Sequence, residues 1–303
     1  MLSYTQLRNL YGNLTNDSTS DNLTLGDTLM NECIRQICAK WQWDFIEKTE
    51  TINTVASQQS YNLPHDYLKT TTLYLTVGST QYTPEECPNK KFWDILNSPA
   101  GQESDIPQYY MIFAGKLWLW PVPSTSSLVI TLTYRRNVPD LNVADYSTGN
   151  VSAVTNGAKT VTGSGTTWTA PMAGRHLRIT KSDTAANAGD HIWYEIASVA
   201  SATSLSLLKD YEGTTLAAAT ASYIIGQMPV LPEQFHMLPV YYAANVYFMT
   251  KNLDNGRAQQ FKEMYDELFD AMKAAHGRKT NNVVVLDGPA NPINPNLAPM
   301  DVS

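Results

Sequence analysis

Cysteine is scarce in this chain: three residues, Cys33, Cys38 and Cys87, among 303. No CxxC pair occurs, so neither a zinc site of the usual spacing nor a disulfide framework is expected. The three read as small buried apolar residues of a reducing compartment. Charge is thin as well. Asp, Glu, Lys and Arg supply 16% of the residues, against about 25% in an ordinary globular chain. Either Ser, Thr and Asn carry the surface, or other subunits cover much of it. Lys and Arg total 21 against 28 Asp and Glu, for a formal net charge of -7. The basic residues gather only as the pairs Lys90-Lys91, Arg135-Arg136 and Arg278-Lys279. Gripping nucleic-acid phosphates takes a basic stripe, so sequence-specific nucleic-acid recognition is not expected, whereas a mildly acidic surface lets DNA slide past. No apolar run approaches the ~20 residues of a membrane span. The first residues lack the basic and apolar regions of a signal peptide, so assembly in a cytoplasm and no membrane partner are expected.

What is present suffices for a sizeable core: 43% hydrophobic residues, with 17 Tyr and 7 Trp. The length suits roughly two domains. Ser3-x-x-Gln6 has capping-box spacing and starts a short helix through Leu7 and Leu10, stopped by Gly12. Thr24-x-x-Asp27 is a weaker box before a longer helix with Leu25, Leu29, Cys33, Ile34, Ile37, Cys38 and Trp41 on one stripe. Trp41, Trp43 and Phe45 then step by two, a change to extended period. Strands follow over Thr49 to Val55, then Leu73 to Val77 with a hairpin partner at Gln81 to Thr83. A short helix covers Phe92 to Leu96. A second hairpin turns at Ala114-Gly115, and Leu128 to Arg135 continues the sheet.

Residues 147–226 read differently. They are rich in Gly, Ser, Thr and Ala, with closely punctuated short strands, as in small all-β sandwiches or barrels. Helices resume after Pro232-Glu233, with Leu238, Tyr241, Tyr242, Asn245, Val246 and Met249 as one buried stripe. A last helix, capped by Asp254, carries Ala258, Phe261, Met264, Tyr265, Leu268, Phe269 and Met272 and closes at Gly277. From Arg278 onward the chain is Asn/Pro-rich and aperiodic. The expected fold class is α+β: a helical bundle formed by the N- and C-terminal segments, a β-rich segment, an inserted small all-β domain and an extended C-terminal arm. The boundaries are 1–146 and 227–280 for the core, 147–226 for the insertion and 281–303 for the arm.

No enzyme signature stands out. His65, His176, His191, His236 and His276 form no HxxxH or HExxH pattern, and GxSxG, Walker-type and GxGxxG motifs do not occur. No catalytic, cofactor-binding or metal-binding residue is assigned. His65-Asp66 reads as a turn more readily than as an acid–base pair. Trp118 and Trp120 flank Leu119 on a strand and face one side, suited to core packing or to a stacking platform for sugars or bases.

The order of elements resembles tailed-phage head-to-tail adaptor proteins. The similar blocks are Cys38 to Phe45, then Thr49 to Ala56, then Gln59 to Tyr67; next come Ile106 to Tyr110 and Leu117 to Pro123. Tyr134-Arg135-Arg136, Leu231-Pro232-Glu233 and Tyr241 to Ala244 resemble the end of the pattern. The inserted segment, with Gly163 to Trp168 and Met172 to Arg175, is similar to small β modules of phage structural proteins. This resemblance implies a non-enzymatic virion protein of the neck. A homo-oligomeric ring of about twelve copies in cyclic symmetry would sit under the portal protein. Viral DNA would pass non-specifically through its lumen, and a downstream tail protein, nozzle or stopper, would dock below. The family's arm commonly reaches the portal; here the matching stretch is Val283, Val284, Val285 and Leu286, β-prone and able to add to a sheet edge. Two other classes compete. A receptor- or glycan-binding tail protein would be a trimer stabilised by sugar, and a cell-wall hydrolase would need a carboxylate pair.

Overall fold

The computed structural model describes residues 1–98, 103–104, 106–126, 128–180 and 187–277. The protein is a mixed α+β chain with five α-helices among those residues: α1 (Tyr4–Thr15), α2 (Ser20–Lys40), α3 (Lys90–Leu96), α4 (Leu238–Thr250) and α5 (Asn255–His276). The strands before residue 140 are β1 (Glu47–Asn53), β2 (Ser60–Asn62), β3 (Tyr67–Val77), β4 (Thr80–Tyr82), β5 (Glu85–Glu86), β6 (Glu103–Ser104), β7 (Tyr109–Phe113), β8 (Lys116–Trp120), β9 (Val122–Pro123) and β10 (Val129–Arg136). Those after it are β11 (Asn150–Val154), β12 (Thr160–Ser164), β13 (His176–Ile179), β14 (Trp193–Ser201), β15 (Ser204–Leu207) and β16 (Tyr223–Gly226).

The capping box opens α1 as expected: the Gln6 amide donates to the Ser3 hydroxyl at 3.4 Å, and the Ser3 amide donates to Gln6 Oε1 at 3.0 Å. Gly12 does not stop the helix, which runs on to Thr15 and closes at Asn16 in the left-handed region. A Cβ on Gly12 would come within 3.1 Å of Leu23 and 3.2 Å of Ser18, so the residue serves the close return of the chain toward α2. The cap of that helix lies five residues before Thr24. Thr19 is its cap, accepting the Asn22 amide, while Thr24 lies inside and donates its hydroxyl to the Ser20 carbonyl at 2.8 Å. Gly26 lets α1 and α2 touch, since a Cβ there would lie 2.4 Å from the Tyr11 ring.

Of the stripe expected on α4 only Leu238 is fully buried. Leu238, Pro239, Val240, Ala243, Ala244 and Phe248 are buried, whereas Tyr241, Tyr242 and Val246 are half-buried and Met249 is exposed. A helix apolar on every side carries no periodic marker of its inner face, and α4 packs against α1, α2 and α5 at once. The Asp254 cap of α5 is present, its carboxylate accepting the Arg257 amide at 3.0 Å. Residues from both ends of the chain share one core, including Leu7, Tyr11, Ile37, Trp43, Phe235, Leu238 and Met272.

Between these ends lie two sheets packed face to face. One has the order β1-β10-β3-β4 and the other β2-β8-β7-β5. Leu73, Leu75, Ile130, Leu132 and Tyr134 from the first meet Tyr61, Tyr110, Leu117 and Leu119 from the second. The hairpin at Ala114-Gly115 forms as expected, with φ of 50° and 71° at the turn. Its neighbour β10, however, joins the other sheet, setting Thr131 opposite Thr51 and Tyr74. Short β6 and β9 pair in parallel.

The last six strands run in the order β11-β12-β15-β14-β13-β16. Chain leading into β16 then pairs back on β11. The Val151 amide donates to the Ala221 carbonyl at 2.9 Å, the reverse bond is 3.1 Å, and Val154 and Leu216 exchange bonds of 3.0 and 2.8 Å. The sheet thus closes into a barrel, which removes its free edges. Val151, Val161, Trp168, Leu177, Ile196, Leu205, Tyr223 and Ile225 fill its interior.

Candidate assembly surfaces

The barrel is tied to the helices at the start of α1. The Ser3 hydroxyl, besides capping the helix, donates to Asp145 Oδ2 at 2.8 Å, and the Asp145 amide donates to the Thr5 hydroxyl at 2.9 Å. On the return crossing the Tyr4 amide donates to the Gln227 carbonyl at 2.8 Å. The Gln227 side chain accepts the Asn142 and Val143 amides, each at 2.9 Å, and donates to the Asp140 carbonyl at 2.8 Å. Both crossings between barrel and helices are therefore clamped to one helix terminus. Gly226 makes room for this, because a Cβ would stand 2.7 Å from that of Ser3.

Two histidines lie at this junction. His236, 2% exposed, accepts the Leu2 amide at Nδ1 (3.0 Å) and has Nε2 2.9 Å from the Leu231 carbonyl, so a neutral ring protonated at Nε2 satisfies both contacts. Burial pushes its pKa down. His176 lies on β13 opposite Glu195 of β14 and Gly226 of β16. Burial pushes it down to about 4, with His236 and the N-terminal ammonium adding repulsion. Sequence reading left both histidines without a role. Their neighbours are up to 234 residues away, and no local pattern marks such contacts.

Trp118 and Trp120 are not in the core. Leu117 and Leu119 fill the space between the sheets, and the tryptophans lie half-buried on the opposite face. Trp118 stacks on Phe113 at 4.7 Å, and Trp120 lies 6.0 Å from Tyr109. Helix α3 adds Phe92 against Tyr109 and Trp93 against Phe113, with the Lys90 ammonium 4.9 Å over the Phe113 ring. This face is largely occupied by the chain's own aromatics rather than open to a ligand. Asp66 accepts from the Tyr134 hydroxyl at 2.6 Å and from Lys48 at 3.4 Å. Burial works to raise its carboxyl, but Tyr134 and Lys48 outweigh that and hold it below the usual range, as in a structural anchor. The three cysteines are free and buried, and burial pushes the Cys33 and Cys38 thiols up to about 12. Among the described residues no group of three or more His, Cys, Asp or Glu is placed to hold a metal ion, and no helix is long and apolar enough to cross a membrane.

The end of α5 is anchored on the segment read as a change of period. Gly277 bridges to Trp43. The Trp43 indole is fully buried, donates to the Ile37 carbonyl at 2.7 Å and stacks on Phe45 at 5.5 Å. His276 faces both Asp44 carboxylate oxygens at 3.2 Å and packs against Phe45 and Phe235 at 5.9 Å each. The arm residues Val283, Val284, Val285 and Leu286 lie outside the described residues.

The model of a family described as SU10 adaptor protein matches residues 2–158, just over half of the chain. The chain belongs to the SU10 adaptor protein family. That agrees with the head-to-tail adaptor pattern seen in its sequence. No curated protein matches the chain. The SU10 adaptor match begins beside the Ser3 cap, takes in the Trp43 anchor and both packed sheets, and ends four residues beyond β11. It includes Ser3, Thr5, Asp140 and Asp145 of the junction, while their partners Gln227 and His236 lie beyond the matched stretch.

Proposed function

We propose that this SU10 adaptor family member is a structural subunit of the virion neck, forming a ring between the portal and the next tail protein. The family match over residues 2–158 carries this reading. In it, the helices of 1–146 and 227–280 form a bundle that builds the ring wall together with the two packed sheets. Residues 147–226 are an inserted all-β domain on that wall, and residues 281–303 are an arm whose Val283 to Leu286 stretch engages the portal. DNA passes through the lumen without being gripped, consistent with the formal net charge of -7. The role is architectural rather than catalytic.

The deciding measurement is the mass of the purified protein in solution, alone and mixed with the portal of the same virus. A closed ring of about twelve copies, alone or only on the portal, is the expected result. A stable trimer indifferent to the portal would replace this reading with a receptor-binding tail protein.

A further inference from the structure

Cations that the sequence scatters are gathered by the fold at the C-terminal end of α2. Trp41 closes that helix and is 39% exposed. The Lys273 ammonium stands 4.6 Å over its ring, and that of the neighbouring Lys40 lies 5.9 Å over Phe269. Arg135 donates to the Cys38 carbonyl at 2.8 Å and to the Trp41 carbonyl at 3.2 Å. Arg136 follows it on β10, and Lys69 is its partner on β3. The carbonyls at the helix end account for Arg135. Lys40, Lys69, Arg136 and Lys273 have no ion-pair partner among the described residues. Glu47, opposite Arg135, and Asp44, facing His276, leave a net positive patch around an exposed indole.

The complement of this patch lies on the barrel. A groove of about 300 Å³ there has Met1, Ile192 and Leu208 in its apolar part, 38%, 48% and 51% exposed. Glu195, Asp210 and Glu212 form its acidic part, and their carboxylates have no ion-pair partner among the described residues. Lys209 is the one basic side chain in the lining. Exposed apolar side chains beside unpaired carboxylates suit an occupant that carries cations around an apolar centre. The surface around Trp41 has that composition, and Trp and Arg are the residues that most often anchor interfaces. Both surfaces sit on fixed elements of the fold, and no ion pair joins them within the chain.

We infer that the barrel groove of one copy receives the Trp41 patch of the next. The indole covers Ile192 and Leu208, while Lys40, Lys69, Arg136 and Lys273 meet the three carboxylates. Because two different surfaces make the contact, it is heterologous: each added copy leaves a groove free at one side and a patch free at the other. Closure into a ring rests on the neck reading, whereas the contact itself serves an open filament equally. Cover by a neighbour also keeps these cations from DNA phosphates, which a bare basic patch would hold.

The test uses the full chain, alone and on the portal. Copies carrying Lys209→Cys in the groove lining are mixed with copies carrying Gln42→Cys beside Trp41; the native thiols are buried. A short bifunctional thiol reagent should join the two kinds of copy to each other and neither kind to itself. Two charge variants give a second readout by mass in solution: Glu195→Lys with Asp210→Lys and Glu212→Lys, and Lys40→Glu with Lys69→Glu and Lys273→Glu. Each alone presents like charges on both surfaces and should assemble about fivefold less than the parent, the size of two or three exposed ion pairs. Mixed together they should regain assembly, which a folding defect would not allow. Absence of the mixed cross-link overturns the inference, as do cross-links within one kind of copy. Charge variants that each assemble like the parent also overturn it. So does a Lys-to-Glu variant that loses only DNA binding, which would make the patch a phosphate site. A ring without the mixed cross-link refutes this contact and leaves the neck reading standing; the mixed cross-link in an open filament does the reverse.

Discussion

His176 makes the junction between barrel and helices sensitive to acid. Its imidazole is half-buried, and the loss of water around it pushes its pKa down to about 4, against 6.5 for a free histidine. Above pH 6.5 it is neutral in folded and unfolded chains alike and has no net effect. As pH falls from 6.5 toward 4, the unfolded chain takes up the proton and the folded one does not, so stability is lost through that window. The facing groups are Glu195 across the strand pair, the Met1 ammonium and His236. His236 is also held down by burial and adds loss of the same sign. His176→Gln should therefore recover on the order of 2–3 kcal/mol at pH 4 relative to the parent and nothing at pH 7.5. Urea midpoints across that range would show it, and parallel curves for the two proteins would refute it.

At the scale of elements, the contact between α1 and α2 depends on a missing side chain. Gly26 faces the Tyr11 ring, which is fully buried and held by a 2.9 Å bond to Asn22. Gly26→Ala should cost about 1–3 kcal/mol by overpacking. Gly256, in the first turn of α5, has no neighbour closer than 3.4 Å. There alanine should stabilise by about 0.5 kcal/mol through lower backbone entropy in the unfolded chain. Thermal melts of the two variants should move in opposite directions. Elements with local determinants were legible in the sequence: the Ser3 box, the Asp254 cap and the Ala114-Gly115 hairpin all form where the residues place them. Gly12 and Thr24 misled because each suits a helix end as well as a helix interior. Their surroundings decided the matter, through the return toward Leu23 and the Thr24 bond to Ser20.

For the whole molecule, the described cores are complete by Met272. A chain ending at Gly277 should keep its melting temperature within a few degrees. In the neck reading it should lose most of its affinity for the portal. Co-sedimentation with the portal measures the second effect, and unchanged binding would remove the arm from that role.

By itself the sequence determined the content of this protein: α+β elements, short strands between 147 and 226, free cysteines, and an ordered set of motifs that leads to the SU10 adaptor family. These follow from caps, turns and period, which act over three or four residues. The tertiary structure decided which faces meet. It put β10 in a different sheet from the hairpin before it, closed six strands into a barrel through Ala221 and Leu216, and turned α4 so that Ala243 and Phe248 face inward. It also brought Ser3, Asp145, Gln227 and His236 to one junction. Such choices rest on contacts between residues far apart in the chain, where burial and hydrogen-bond satisfaction select among partners that local pattern leaves equivalent.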